Sequence, residues 1–486
     1  MRLRALAIAL IGLICNLPFL GYVYGTSGSL WRVILLGGSL LCLLYAGVYF
    51  LLSAGKTVGR VILSLLVIIN AGCLYFFRTY GVMLDLTMIG NVFNTDWREA
   101  SSFICVKSVL YVLVLGVLPC VLVWWRRRDH WNWRRFALNT GGSLVAGLVL
   151  ALPCVFAGDW SGKTERVGFN LLLPWAYVAN SARYAADGGK RISNEILLPY
   201  ATVSKEKGKE VIVLVIGESS RWDHFSLYGY ERSTSPLLEA EGERLRKFKA
   251  VSNGTFTIEG VHSMLRYYNT DKYYEFLPNY LFRNGVDVIW RANNGGGPKL
   301  HIQNYLRIEK DEYDEALLEG IGEAIATSDR DRVFVVLHTN TSHGPDYDNR
   351  YPPEFAVFTP TKEETTKTPR SREGIINSYD NTIVYTDYLL HRVIEMLKGL
   401  DGWRSAMMFV SDHGESLGEK GVYMHGLPNL IAPPEQFMIP FIVWTSDNSV
   451  RTDESAELTQ FYVFHSVMNF LGMRSPIYDD SKNIFN

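Results

Sequence analysis

The sequence predicts two parts: an N-terminal α-helical membrane bundle of about five transmembrane helices, then a soluble α/β domain with a mostly parallel central sheet. Its 486 residues have a mean hydropathy of +0.05, which is high for a soluble protein and low for one buried throughout in lipid. Apolar runs dominate the first part, whereas strand-like and helix-like segments alternate in the second. We therefore divide the chain into a transmembrane domain (1–157), a linker (158–205) and a soluble domain (206–486).

Windows of about 20 apolar residues identify the membrane spans. The first follows Arg2 and Arg4, as a secretory signal would, but no clear cleavage site follows it and further spans come at once, so we interpret it as an anchor. The predicted spans are 6–24, 33–52, 58–77, 108–125 and 136–157.

Basic residues predict the orientation of these spans. They mark alternate loops, at Arg2 and Arg4, at Lys56 and Arg60, and at 126–128 and 134–135. Because basic loops stay in the cytoplasm, an odd number of spans places the chain after residue 157 on the outer side of the membrane.

Two further segments suit the membrane surface. The apolar run 82–89 is too short to span the bilayer, and we interpret it as an interfacial helix that either connects two spans or guides substrate. The linker contains Trp160, Trp175 and Tyr177, aromatic residues that favour the membrane–water boundary.

Composition limits the chemistry of the second part. A formal net charge of -1 gives no support for binding nucleic acid. All six cysteines lie in the membrane part, at Cys15, Cys42, Cys73, Cys105, Cys120 and Cys154. The soluble part therefore has neither a disulfide nor a thiolate metal site, and a metal there would be held by His, Asp, Glu or hydroxyl oxygen.

Polar side chains follow the predicted strands of the soluble part. The strand-like runs are 211–216, 286–290, 333–337, 406–410 and 438–444. Ligands of such sheets bind beyond the carboxyl ends of the strands. Those ends carry Glu218, Asn294, His338, His343, Asp412 and His413, which we expect to converge on one rim of the sheet.

The segment 411–415 is the strongest indication of a metal site. Asp412 and His413 supply a carboxylate and an imidazole in a small space, and Gly414 permits a tight turn. Together with Glu218 they form an oxygen and nitrogen site that suits Zn²⁺ or Mn²⁺. Three protein ligands leave a coordination position open, as in catalytic rather than structural sites.

A candidate nucleophile lies in the stretch 252–264, which follows a short strand and opens a helix. Thr255 and Thr257 lie near the helix start, and either could cap it. A hydroxyl next to a metal becomes acidic and nucleophilic, and both threonines offer one. His338, His343 and His425 could bind a phosphate or transfer a proton to a leaving alcohol.

Five motifs in this order carry a family resemblance. They are GESSRWDHFSLYGY (217–230), NGTFT (253–257), the histidines and Gly-Pro of 338–345, NSYDNT (377–382), and SDHGESLG with the later His-Gly (411–426). The chain resembles the phosphoethanolamine transferases of Gram-negative envelopes. These proteins have an alkaline-phosphatase/sulfatase-like periplasmic domain after a bundle of membrane helices.

The resemblance implies a role for each matching residue. Glu218, Asp412 and His413 match zinc ligands, and Thr257 matches the nucleophile and remaining ligand, which leaves Thr255 as the cap. Further positions match residues that hold phosphoethanolamine or a second zinc ion, or that lie near the substrate: His343, Glu415 and His425, and then Asn294 and Lys299. His338 would only order its neighbours. Zn²⁺ is thus implied in preference to Mn²⁺.

The resemblance also implies the reaction. Phosphoethanolamine would pass from phosphatidylethanolamine to a lipopolysaccharide or lipooligosaccharide acceptor, an inner core sugar or lipid A, through a covalent phospho-Thr257. The enzyme would be a monomer in the inner membrane with its catalytic domain in the periplasm.

The chain departs from the family pattern around the nucleophile. Asn253 and Ser263 stand where many lipid A-modifying members have cysteines, and His262 replaces a proline, so packing and hydrogen bonds must hold this loop. The missing cysteines favour a core sugar over lipid A. Alternatives are a phosphoglycerol transferase or a phosphodiester or sulfate ester hydrolase of the same fold, and a catalytically silent envelope scaffold. The Cys/Ser-x-Pro-x-Arg element of sulfatases is not found.

Overall fold

The structure is a computed structural model that describes residues 1–94, 100, 103–125, 132–156, 167–193, 195–204, 208–267, 272–308, 312–361, 372–427, 429 and 431–486. Two compact units are distinguished: Met1–Ile89 with Glu99–Ala186, and Gly90–Arg98 with Asp187–Asn486. The basic cluster 126–128, Trp160 and the predicted linker boundaries at 157–158 and 205–206 lie outside the described residues, and the domain division stays a prediction.

The N-terminal part is helical. Its helices are α1 Arg2–Cys15, α2 Leu17–Ser27, α3 Leu30–Ser53, α4 Lys56–Tyr80, α5 Leu86–Asn94, α6 Val106–Trp124, α7 Trp133–Phe156 and α8 Trp175–Ser193. Among the described residues, α3, α4, α6 and α7 are each long and apolar enough to cross a membrane, and the bent pair α1 and α2 makes up to five. The chain is therefore a multi-pass membrane protein, and the predicted bundle of about five spans is confirmed as four to five.

The first predicted span, 6–24, is not one straight helix. It bends by 51° between α1 and α2, because Pro18 lacks an N–H and its ring displaces the carbonyl of the preceding turn. Asn16 lies at the bend and is buried. Its amide donates to the Gly12 carbonyl at 2.8 Å and exchanges hydrogen bonds with the Leu173 backbone at 2.8 and 3.0 Å, so the bend is fixed by a distant segment.

The predicted short helix at 82–89 exists but begins and ends later, as α5. Asp85 precedes it, and its Oδ1 accepts the Met88 N–H at 2.8 Å, which is the usual role of an N-cap residue. The predicted linker also contains regular structure, because α8 begins at Trp175. The location of either helix at a membrane surface stays a prediction.

The second unit is built on an eight-stranded sheet with the order β11-β3-β10-β7-β2-β6-β4-β5. Only β10 runs antiparallel to both of its neighbours; the other paired strands of this sheet are parallel, which confirms the mostly parallel fold. The strands are β1 Thr202–Val203, β2 Lys209–Gly217, β3 Leu245–Val251, β4 Asp287–Ala292, β5 Asn304–Arg307, β6 Arg332–His338, β7 Trp403–Ser411, β8 Ser416–Leu417, β9 Tyr423–Met424, β10 Met438–Thr445, β11 Leu458–Thr459 and β12 Met473–Arg474.

Both faces of this sheet are covered. Along β2, Ile212 and Leu214 enter one hydrophobic core and Val211 and Val213 enter the other, as expected where side chains alternate and helices pack on both faces. The helices of this unit are α9 Pro236–Glu239, α10 Thr257–Leu265, α11 Leu277–Arg283, α12 Ile321–Ala326, α13 Arg372–Lys398 and α14 Tyr462–Phe470.

A buried carboxyl group joins α13 to α9. Asp387 of α13 accepts the N–H groups of Leu237 and Leu238 at 3.0 and 2.9 Å. Burial raises the pKa of Asp387 to about 7, although the two hydrogen bonds act in the opposite direction. The folded protein therefore keeps a proton on this group that the unfolded chain loses near its ordinary pKa of 3.8.

We predict that Asp387→Asn stabilises the protein at pH 8 but not at pH 4. The folded-state pKa is raised, so the stabilisation by protonated Asp387 is complete below about pH 4 and is lost as the pH rises through about 7. Asn removes the charge but keeps only one of the two acceptors that bind Leu237 and Leu238, a loss that reduces the gain at pH 8 and destabilises the protein at pH 4. Melting curves at both pH values should show a gain at pH 8 on the order of 1–3 kcal/mol.

Asp329→Asn is the control for this prediction, because its side chain is 90% exposed. It should change the melting temperature little at either pH. A gain for Asp387→Asn that is the same at pH 4 and pH 8 would contradict the assigned titration.

Candidate active site

Two neighbouring strands bring the predicted acidic residues together. Glu218 directly follows β2, and Asp412 and His413 directly follow β7, which pairs with β2 so that Gly217 lies opposite Ser411. All three side chains are completely buried. A Cβ atom on Gly217 would lie 2.5 Å from the Phe409 ring, so only glycine permits this close strand ending.

The three side chains direct acceptor atoms at one another. His413 Nε2 lies 3.3 Å from both Glu218 Oε1 and Asp412 Oδ2. His413 Nδ1 must carry the ring proton, because it contacts the Gly414 carbonyl oxygen at 2.9 Å and a carbonyl only accepts. Nε2 is therefore unprotonated and offers its lone pair as an acceptor. Among the described residues, neither His413 Nε2 nor Asp412 Oδ2 has a hydrogen-bond partner.

Backbone hydrogen bonds orient this group. Asp412 Oδ1 accepts the N–H groups of Ser219 at 3.0 Å and of His413 at 2.7 Å, which leaves Oδ2 for another ligand. Ser219 also donates its hydroxyl to Glu218 Oε1 at 2.7 Å, from a left-handed backbone with φ of 55°. Acceptor atoms that point at one another, on side chains oriented by further hydrogen bonds, are typical of a metal site.

Thr257 lies beside this group as the first residue of α10. Its hydroxyl donates to Glu218 Oε2 at 3.2 Å. The helix reaches this position because Gly260, one turn on, packs on the Asp412 backbone, where a Cβ atom would lie 2.1 Å from the carbonyl oxygen. A threonine hydroxyl thus lies next to three candidate metal ligands.

The prediction that Thr255 caps α10 is wrong. The residue at the cap position is Phe256, with extended backbone and no side-chain cap. Thr255 is completely buried and donates its hydroxyl to the Leu427 carbonyl at 2.6 Å, while its own carbonyl accepts the Gly426 N–H at 2.7 Å. Thr255 therefore holds the loop that carries Thr257 against the segment that follows His425.

Glycine is required at position 414 for a different reason from the one predicted. A tight turn was expected, but its backbone is not left-handed. A Cβ atom at this position would lie 2.1 Å from the Glu435 carbonyl oxygen. The close approach of another backbone segment is what requires glycine here.

The predicted phosphoethanolamine-holding residues lie next to the first group. Glu415 Oε2 contacts His425 Nδ1 at 2.7 Å, and Glu415 Oε1 accepts the Tyr347 hydroxyl at 2.8 Å. The His425 ring lies 4.1 Å from the His413 ring and 5.5 Å from the His343 ring. Ligand atoms of Glu218, His413 and His425 all lie within 4.8 Å of one another.

The two remaining predicted residues differ in position. Asn294 reaches the site, because its amide donates to Glu218 Oε2 at 2.6 Å. Lys299 has an exposed side chain, and the contact described for it is that of its carbonyl with the Asn279 amide at 3.0 Å. The structure therefore gives no contact between the Lys299 side chain and the site.

Burial sets the charge of the site. It raises the pKa of Asp412 well above the ordinary value, and the charge of Glu218 raises it further. Burial acts on Glu218 in the same direction, but three histidines, above all His413, outweigh it and lower the pKa of Glu218. Burial lowers the pKa of His413 to about 4 and raises that of Glu415 to about 7. A divalent cation would restore the ionised form of Asp412 and would suit both carboxylates and the neutral imidazole.

A second His and Glu cluster is a weaker candidate. Glu241, His391 and Glu395 also bring ligand atoms within 4.8 Å of one another, but they are more exposed. The Lys398 ammonium contacts Glu241 at 2.9 Å and Glu395 at 2.8 Å. A lysine therefore already supplies the positive charge at this cluster.

Sequence comparison gives two matches to protein families. Residues 210–473 match the Sulfatase family, and residues 28–188 match the family described as phosphoethanolamine transferase EptA/EptB. Phosphoethanolamine transferase EptA of Helicobacter pylori is 32% identical over 500 residues, which cover 96% of this chain and 92% of that protein.

Solved structures confirm the fold. The integral membrane lipooligosaccharide phosphoethanolamine transferase A from Neisseria meningitidis superposes with a TM-score of 0.87 at 24% identity, covering 99% of this chain and 98% of that chain. The C-terminal periplasmic domain of Escherichia coli EcEptC, solved as a complex with Zn, gives a TM-score of 0.52 at 22% identity over 60% of this chain and 90% of that chain.

We predict that Zn²⁺ raises the melting temperature of the metal-free protein and that Asp412→Asn removes this effect. Bound cation offsets the repulsion between Glu218 and Asp412, and a ligand at 100 times its Kd stabilises by about 2.7 kcal/mol. That corresponds to a rise of several degrees, at about 2–4 °C for each kcal/mol.

Asp380→Asn is the matched control. Asp380 is also a completely buried carboxylate, but it pairs with His224 at 2.6 Å and Arg232 at 2.9 Å. This variant should lose stability and keep the Zn²⁺-dependent rise. An equal rise in Asp412→Asn and in the wild type would rule out Asp412 as a ligand.

Proposed function

The chain belongs to the phosphoethanolamine transferase family, and we propose that it transfers phosphoethanolamine from phosphatidylethanolamine to lipopolysaccharide through a covalent phospho-Thr257. It is an enzyme of this type and a multi-pass membrane protein. The observation that carries the proposal is the Thr257 hydroxyl, 3.2 Å from Glu218. It lies beside acceptor atoms of Asp412 and His413 that have no hydrogen-bond partner in the part of the chain that the structure describes.

Glu218, Asp412, His413 and Thr257 would hold one Zn²⁺. Their oxygen and nitrogen atoms suit this ion, and the Zn complex of the related EcEptC domain supports zinc over manganese. When bound, the ion lowers the pKa of the threonine hydroxyl and offsets negative charge on the phosphoryl oxygens. His343, Glu415 and His425 would hold the phosphoethanolamine group or a second ion.

In the first step, Thr257 Oγ attacks the phosphorus of phosphatidylethanolamine. Glu218 orients the attacking hydroxyl, which donates to its Oε2, and the proton that Thr257 loses equals the one that the leaving glycerol oxygen gains. The bond from phosphorus to the glycerol oxygen breaks, and that oxygen takes the electron pair and a proton to leave as diacylglycerol. His425 is suited to donate this proton, because Glu415 orients its Nδ1 at 2.7 Å and general acids act at hydrogen-bond distance.

In the second step, an oxygen of the acceptor attacks the same phosphorus. The bond to Thr257 breaks, its electron pair returns to Oγ, and the proton that the acceptor hydroxyl loses restores the Thr257 hydroxyl. The lipooligosaccharide transferase from Neisseria meningitidis supports an acceptor of this class. Because donor and acceptor are lipids, membrane helices keep the enzyme on the surface where both occur. We infer an inner-membrane monomer with a periplasmic catalytic domain.

We predict that incubation with phosphatidylethanolamine adds one phosphoethanolamine to the wild-type protein and none to Thr257→Ala. Thr257→Ser should form the adduct more slowly, since it keeps the hydroxyl but loses the methyl group that restricts its rotation. Intact-mass spectrometry of the full-length protein measures all three.

Thr255→Val is the matched control, because it removes the neighbouring hydroxyl and preserves its shape. This variant should lose stability, on the order of 1–3 kcal/mol, for the unsatisfied Leu427 carbonyl, and still form the adduct. An adduct on Thr257→Ala would refute the assignment. Diacylglycerol release beyond one equivalent without an acceptor would identify a hydrolase instead.

A further inference from the structure

A cavity of about 450 Å³ opens at the carboxyl ends of β4, β5 and β6. Its lining includes Trp290, Asn294, Gly296, Tyr305, Arg307 and His338. None of the four proposed zinc ligands lines it, and neither do His343, Glu415 and His425. The volume falls within the range of small-molecule sites, about 300–1,000 Å³, so it would enclose a sugar unit but not a whole lipid.

The cavity shares a wall with the nucleophile. Asn294 lines it and donates to Glu218 Oε2, the oxygen that also accepts the Thr257 hydroxyl. Gly296 has a left-handed backbone with φ of 74°, and a Cβ atom there would lie 3.2 Å from Thr257 Cγ2. A molecule in the cavity would therefore lie against the loop that contacts Thr257.

The cavity lies on the opposite flank of β2 from most of the phosphoethanolamine-holding residues. In the sheet, β2 separates β7 from β6, β4 and β5. Glu415 follows β7 and contacts His425, whereas Asn294 follows β4 and His338 ends β6. A second substrate could therefore approach Thr257 from this flank while the first group occupies the other.

His338 lines this cavity with a buried polar side chain that a bound ligand could hydrogen-bond. Its side chain is 1% exposed, and neither ring nitrogen has a hydrogen-bond partner among the described residues. The Trp290 ring packs edge-on against the His338 ring, with 6.1 Å between the two ring centroids. A buried polar group without a partner is destabilising, and a neutral imidazole offers one donor and one acceptor, which together suit a hydroxyl group.

Arg307 and the aromatic residues define the rest of the ligand. Arg307 lies at the end of the edge strand β5 and lines the cavity together with His338. A guanidinium matches the geometry of a phosphate group. Tyr305 is 51% exposed and Trp290 is buried. The apolar face of a sugar ring could therefore pack against Tyr305 at the cavity entrance and against Trp290 inside it. A hydroxyl-bearing ring with a phosphate would be complementary to the imidazole, the guanidinium and the aromatic rings.

We propose that this cavity binds the acceptor substrate as a phosphorylated sugar, with His338 at a ring hydroxyl and Arg307 at the phosphate. The proposal rests on the proposed function. An acceptor oxygen attacks the phosphorus on Thr257, the phosphorus–Oγ bond breaks, and its electron pair stays on Oγ. The proton that a hydroxyl acceptor loses equals the one that Thr257 regains.

The two half-reactions test this assignment in the full-length protein. The adduct is first formed with phosphatidylethanolamine alone, excess donor is removed, and phosphorylated lipopolysaccharide with a short core is added. Arg307→Ala should form the adduct within twofold of the wild-type rate and discharge it at least tenfold more slowly. His338→Gln should also slow discharge. Arg330→Ala, an arginine 57% exposed at the amino end of β6, should match the wild type in both steps.

The phosphate itself is tested with the same lipopolysaccharide after phosphatase treatment. Arg307→Ala should then slow discharge less than twofold relative to the wild type, because its partner is gone. Calorimetry with glucosamine 6-phosphate and glucosamine gives an independent readout. The wild type should bind the phosphorylated sugar at least fivefold more tightly than Arg307→Ala does, whereas glucosamine should not distinguish them.

Several results would overturn the assignment. If Arg307→Ala slows adduct formation as much as it slows discharge, the cavity binds the donor and not the acceptor. Unchanged discharge, or equal slowing with and without acceptor phosphate, would remove Arg307 from phosphate recognition. If His338→Gln does not fold, Arg307→Ala decides alone. A wild type without adduct refutes the proposed function, and calorimetry then still decides whether the cavity binds a phosphorylated sugar.

Discussion

The arrangement of the site depends on the burial of two carboxyl groups side by side. Glu218 and Asp412 are both completely removed from solvent, and their charges oppose each other at the ends of adjacent strands. Burying charge without compensation is strongly destabilising. Hydrogen bonds from Ser219 and Asn294 compensate part of it, and a divalent cation would compensate the rest. The positive charge of that cation would favour ionisation of the Thr257 hydroxyl.

Hydrogen bonds hold the loop that carries Thr257 in a domain without cysteine. The buried Gln460 side chain accepts the Asn253 N–H at 3.0 Å and donates to the carbonyls of Ser411 at 3.0 Å and Asp412 at 2.6 Å. Thr255 joins the loop to Leu427. The loop is thereby attached both to the end of β7 and to the segment after His425. Glutamine and threonine thus connect segments that a disulfide could otherwise constrain.

The sequence predicts those features that depend on local pattern. Apolar runs followed by Glu218, Asp412 and His413 located the strand ends correctly, because adjacent parallel strands must bring such ends together. The choice between the two threonines was not a local matter. The hydroxyl of Thr255 is satisfied by Leu427, 172 positions away, and capping propensity carries no information about such a partner. Gln460 and Tyr347 had no distinguishing sequence signal for the same reason, and the bend at Asn16 depends on Leu173, 157 positions away.

The proposed reaction requires Glu218, Asp412, His413 and Thr257 to hold one metal ion. Anomalous diffraction at the zinc edge, from crystals of the protein with one equivalent of Zn²⁺, would locate that ion. We expect a single strong peak at roughly 2.0–2.2 Å from oxygen or nitrogen atoms of these four residues. A peak only at Glu241, His391 and Glu395, or none beside Thr257, would contradict it.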